Sequence, residues 1–153
     1  VSVIAGNLLR PPPRLSPGTF DHVMANPPFI EAGRGTAAQD PAKAAASMEG
    51  EASLADWVRF ALLMARDKGS LAFIHRADRI DALLGQIAGR AGEVVVFPLW
   101  PGAGRPASRI LLRARKQTHA PARLSAGLVL HEPNGRFTAE ADAILRGGEP
   151  LAL

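Results

Sequence analysis

Three short apolar runs, at residues 20–25, 70–75 and 93–99, are separated by segments with helical spacing. This alternation constrains the fold more than any other feature. Strand, helix, strand, helix, strand calls for crossover connections and an α/β sheet. In the first helical segment Ser53 can cap the end and Asp56 sits near its positive pole. Leu54, Trp57, Val58, Ala61, Leu62 and Ala65 then follow one face, and Gly69 stands where a C-cap glycine belongs. The second helix is expected over 78–90, with Ile80, Leu83, Leu84 and Ile87 inward.

The flanks are read in the same way. Residues 1–4 alternate and are β-branched, which predicts a short strand. Pro11-Pro12-Pro13 and Ser16-Pro17-Gly18 punctuate a loop. Residues 31–51 are rich in Ala, Gly and charge, and predict a loop with one helical turn near 41–48. A further strand is expected at 109–115 and an extended piece at 124–132. Asn134-Gly135 marks a turn, and Thr138 caps a last helix through Leu145. The chain opens on Val1 inside an apolar segment, which reads as a piece of a longer protein.

Several function classes fall away on composition. There are no cysteines, so disulfide frameworks and Cys-ligated metal sites are excluded. No apolar run approaches the roughly 20 residues of a membrane helix. A cytoplasmic location without a membrane partner is expected. His22, His75, His119 and His131 are dispersed without ligand spacing, so no metal site is expected. The net charge of +4, with a sequence pI near 10.6, suits a polyanionic partner. An arginine-rich solvated surface explains the same numbers.

Asn26-Pro27-Pro28-Phe29 closes the 20–25 strand, where ligands bind in open α/β sheets. Proline cannot donate to a ladder, so the strand must stop there. The Asn26 side-chain oxygen and the Pro27 carbonyl form a rigid pair of acceptors. Such a pair suits an exocyclic amine that becomes tetrahedral as it attacks a methyl group. Phe29 can stack on an extruded base. The bland alternative is a strand end, a Pro-Pro turn and a core phenylalanine.

The residues from Phe20 through Phe29 resemble the tRNA(Val) (adenine-N6)-methyltransferases. So do Gly92-Glu93-Val94-Val95-Val96-Phe97-Pro98-Leu99 and Ala107-Ser108-Arg109-Ile110-Leu111-Leu112-Arg113-Ala114-Arg115-Lys116. Gly127-Leu128-Val129-Leu130-His131-Glu132 and Phe137-Thr138-Ala139-Glu140-Ala141 extend the likeness. The Asn-Pro-Pro-Phe box is shared with guanine-N2 and protein-glutamine methyltransferases, and the C-terminal stretches favour the tRNA family.

The resemblance implies a Rossmann-like sheet in which residues 1–153 form one methyltransferase domain fragment, the C-terminal half of a mixed sheet with helices on its faces. The glycine-rich turn that approaches S-adenosylmethionine (SAM) has no counterpart in the sequence. The implied cofactor is SAM and the implied partner is tRNA. Asn26, Pro27, Pro28 and Phe29 would be catalytic. Asn7, Leu8 and Asn26 would contact the cofactor, with Asn7 standing where the family has an acid. Arg105, Arg109, Arg113 and Arg115 are either RNA phosphate contacts or a solvated face. The 20–25 strand would be left with an open edge. It is expected to pair with residues 1–4 or with a second copy of the chain. A non-catalytic RNA-binding remnant remains the rival from another class. Gly102-Ala103-Gly104 precedes a strand rather than a helix and reads as a loop.

Overall fold

The computed structural model describes residues 2–28 and 52–153. Strand β1 (Phe20–Ala25) leads, beyond the undescribed segment, to helix α1 (Leu54–Met64) and strand β2 (Ala65–Arg76). A 3-10 turn (Ala77–Arg79) opens helix α2 (Ile80–Ile87), followed by strands β3 (Ala91–Trp100) and β4 (Arg109–Lys116). Short strands β5 (Arg123–Leu124) and β6 (Leu128–Val129) and helix α3 (Ala139–Leu145) complete the described elements. The sheet order is β1-β2-β4-β3-β5, with β6 also on β3. β1 lies parallel to β2, while β4 runs antiparallel to both β2 and β3. β1, β2 and β3 therefore point the same way, and β4 is inserted between the last two. This is the α/β sheet that the alternation of apolar runs predicts, and it is mixed as the resemblance implies.

Period-two alternation divides the core between the two faces. Leu71, Phe73, Val94, Val96, Ile110 and Leu112 pack against Leu54, Val58, Ala61 and Leu62 of α1 and Leu83 and Ile87 of α2. On the other face Phe97, Leu99 and Leu128 meet Ala141 of α3, with Ile74, Leu111 and Phe137 alongside. The α1 start is fixed by a capping box. The Ser53 hydroxyl accepts from the Asp56 N–H at 3.3 Å, and the Asp56 carboxylate accepts from the Ser53 N–H at 3.0 Å.

Four expectations need correction. Ser2–Ile4 form no strand and lie exposed. The chain after them is held in its own turns instead, with the Leu15 N–H on the Pro12 carbonyl and the Gly18 N–H on the Leu63 carbonyl. β1 consequently keeps a free edge among the described residues, with Phe20 39% and Met24 85% exposed. Gly69 is no helix cap. The helix ends at Met64, and Gly69 lies inside β2, where an added Cβ would stand 2.8 Å from the Arg66 carbonyl oxygen and 3.1 Å from that of Asp21. The 78–90 helix is shorter, because Ala88 turns to extended backbone and Gly89 takes φ +73°. The 124–132 piece breaks into β5 and β6 around Gly127 at φ +82°. The expected turn near 41–48 lies outside the described residues.

Among the described residues His75 is the buried polar residue of the core, one position before the end of β2. Burial first, then the charge of Arg79, lowers its imidazole pKa below the ordinary 6.5, with Asp78 opposing and Arg76 adding to the fall. The unfolded chain thus binds the extra proton more readily. Stability from this group is complete above about pH 6.5 and is lost as pH falls from there through the folded value. Unfolding free energies from urea titrations should fall as pH drops below about 6.5, by up to ~1.4 kcal/mol per pH unit from this residue. His75→Leu should flatten that part of the profile. An unchanged slope in the variant would assign the acid sensitivity elsewhere.

Candidate active site

β1 delivers Asn26-Pro27-Pro28 to the carboxyl end of the sheet. Its register on β2 sets Val23 beside Leu71 and Ala25 beside Phe73, so the chain leaves the sheet next to a buried aromatic. The Pro27 side chain is fully buried and Pro28 is half-buried, which anchors the turn. Asn26 between them and the strand is exposed, and its amide makes no hydrogen bond among the described residues. The buried proline fixes the Pro27 carbonyl, and the Asn26 amide beside it is open to a ligand. Phe29 lies outside the described residues.

The strand beneath is also tied down by polar pairs. His22 Nδ1 and Ser70 Oγ are 2.6 Å apart. Arg66 donates to Asp21 and, by hydrogen bond and charge, holds that carboxyl below its usual range. The pair is exposed and screened, so it contributes register more than stability.

Asn7 and Leu8 lie in a separate local turn. The Asn7 side-chain oxygen accepts from the Leu9 N–H at 2.8 Å, and the Arg10 N–H closes back on the Asn7 carbonyl at 3.0 Å. That leaves the Asn7 amide N–H groups as its free side-chain function, while Leu8 is half-buried. The four arginines do not form one patch. Arg105 and Arg109 lie at the carboxyl end of β3, the end that carries Asn26. Arg113 is half-buried midway along β4. Arg115 lies about 20 Å from Arg109 at the far end of that strand. It pairs with Glu93 at 3.4 Å. Among the described residues no group of His, Cys, Asp and Glu could hold a metal ion. No helix among the described residues is long and apolar enough to cross a membrane. Sequence reasoning placed His75 at the end of an apolar strand and otherwise weighed it as one of four scattered histidines. The Leu71, Phe73, His75 alternation carried the signal that it is core.

The sheet order, the antiparallel strand between the last two parallel ones and the flanking helices define a methyltransferase-like Rossmann-type fold. Among solved structures, the chain is similar to the crystal structure of a predicted O-methyltransferase from Agrobacterium tumefaciens, with 25% identity and a TM-score of 0.71. The match covers 94% of this chain and 61% of that one, so the chain spans about three-fifths of its length. No family model and no curated protein matches the sequence.

Proposed function

We propose that this chain carries the base-binding and catalytic part of a SAM-dependent methyltransferase acting on the exocyclic N6 of adenine in tRNA. The observation that carries this reading is the exposed Asn26 amide, without a hydrogen bond among the described residues, on a proline-anchored turn at the carboxyl end of β1 within a methyltransferase-type sheet. The Asn26 side-chain oxygen and the Pro27 carbonyl accept the two N–H bonds of the amine. Their hold tightens as the nitrogen becomes tetrahedral and its protons gain acidity.

SAM, when bound, supplies the electrophilic methyl group. The residues present fit it in part: Asn26 would stand near the reacting centre, and the free N–H groups of Asn7 suit an acceptor on the SAM adenine. With so few contacts the 153-residue chain alone should bind SAM no more tightly than about millimolar.

A hydroxyl acceptor is a second reading, favoured by the description of the similar Agrobacterium tumefaciens protein as a predicted O-methyltransferase. A hydroxyl offers one proton, whereas the Asn26 and Pro27 pair offers two acceptors. Nucleosides from unmodified tRNA, incubated with labelled SAM and the longest native product containing these residues, should yield N6-methyladenine. Label on guanine, on a protein or on a hydroxyl, with none on adenine N6, overturns the proposal.

A further inference from the structure

β3 ends at Trp100, beside a groove of about 540 Å³ lined by Trp100, Gly102, Gly104, Arg105, Pro106 and Val129 and by Ala103. That volume falls in the range of small-ligand clefts, about 300–1,000 Å³. The indole is fixed at its edge. Its Nε1–H donates to the Ala126 carbonyl at 3.0 Å. Gly127 permits this approach, since a Cβ there would stand 2.7 Å from Nε1. With its N–H engaged in that bond, the ring has a π-face rather than a hydrogen-bonding group to offer a ligand.

The loop opposite is equally ordered. The Arg105 N–H closes a turn on the Gly102 carbonyl at 3.2 Å, and Gly104 takes φ +69°. His131 Nδ1 lies 3.1 Å from the Pro101 carbonyl oxygen. Arg105 is the charged residue of the lining, with no carboxylate beside it there. A pinned aromatic ring and a cation on a rigid turn suit one nucleotide: base on indole, phosphate on guanidinium.

The position identifies which nucleotide. β1 and β3 are parallel and three strand spacings apart, about 14 Å. Through Phe73 and Leu112, Val96 lies level with Ala25, so Trp100 is four residues further toward the carboxyl end, about 13 Å. A base on Trp100 would be roughly 15–20 Å from Asn26, too far to be the reacting one. From this geometry we infer that Trp100 and Arg105 form a second subsite, which stacks an unpaired nucleotide a few positions from the target base. The inference rests on the RNA reading above and adds to it where the strand is gripped.

Trp57 and Trp100 are the two tryptophans, so Trp57→Phe leaves Trp100 as the emitting residue. Titrating that chain with a single-stranded oligoribonucleotide should quench its emission. In the wild-type background Trp100→Leu should weaken binding about tenfold, while Trp100→Phe keeps it within about threefold. Arg105→Gln should lower the salt slope of binding by up to about one. Should Trp100→Leu misfold by circular dichroism, the emission of the native ring and the Arg105→Gln slope still decide. RNA that binds without quenching Trp100, or a folded Trp100→Leu chain with unchanged affinity, overturns the subsite and leaves the methyl-transfer reading standing. Quenching by RNA that the enzyme never methylates supports the subsite and removes that reading. If no RNA binds, or a basic or apolar peptide quenches where RNA does not, the subsite is wrong.

Discussion

Asn26→Ala should slow methyl transfer by about a hundredfold, on the order of 3 kcal/mol, in the native product that contains these residues. The side chain is exposed and makes no hydrogen bond among the described residues, so its removal leaves no orphaned partner in the protein. Thermal stability should therefore stay within about 0.5 kcal/mol of wild type. SAM affinity should also be largely kept, because the amide acts on the amine in its reacting geometry more than on the resting complex. Single-turnover methylation of unmodified tRNA separates chemistry from binding and product release. A rate within about threefold of wild type would remove Asn26 from the mechanism. A large loss of SAM affinity at an unchanged rate constant would make it a cofactor ligand instead.

Much of this arrangement could be read in advance because the informative residues are local. Residues 70–75 form one apolar run, and Leu83 and Ile87 share a helical stripe, so the strand and the helix with its inner face follow from local pattern. Asn26-Pro27-Pro28 declares a strand end in the same way, since Pro27 has no N–H to extend the ladder.

What could not be read depends on distant chain. Whether residues 2–4 form a strand is decided by a partner 16 or more positions away, and the intervening turns take them elsewhere. Gly69 looked like a cap by position, but the reason for a glycine there is the crossing carbonyls of Arg66 and Asp21. The spread of Arg109, Arg113 and Arg115 along one antiparallel strand is also tertiary information. Three arginines close in sequence are spread over about 20 Å, and Arg115 gains a carboxylate partner from β3.

The largest effect on stability is expected at Phe73. Its side chain is 1% exposed, at the centre of β2, between β1 and β4 and beneath α1 and α2. Truncation to alanine loses the transfer free energy of the ring and leaves a cavity that a sheet hydrogen-bonded on both sides cannot close. The cost should be about 3–5 kcal/mol, a large share of the 5–15 kcal/mol that holds a domain of this kind. At this chain length the melting temperature should fall by roughly 6–20 °C. Phe73→Leu refills most of the space and should lose far less. Met24→Ala, at a side chain 85% exposed on the neighbouring edge strand β1, should stay within about 0.5 kcal/mol. Because Ala25 is registered on Phe73, the alanine variant should also loosen the turn that presents Asn26. Urea unfolding gives the first quantity, and amide exchange at Val23 and Ala25 gives the second. A Phe73→Ala cost below about 1 kcal/mol would mean the ring is not the packed centre of this sheet. Full loss of stability with unchanged exchange in β1 would uncouple the core from the catalytic turn.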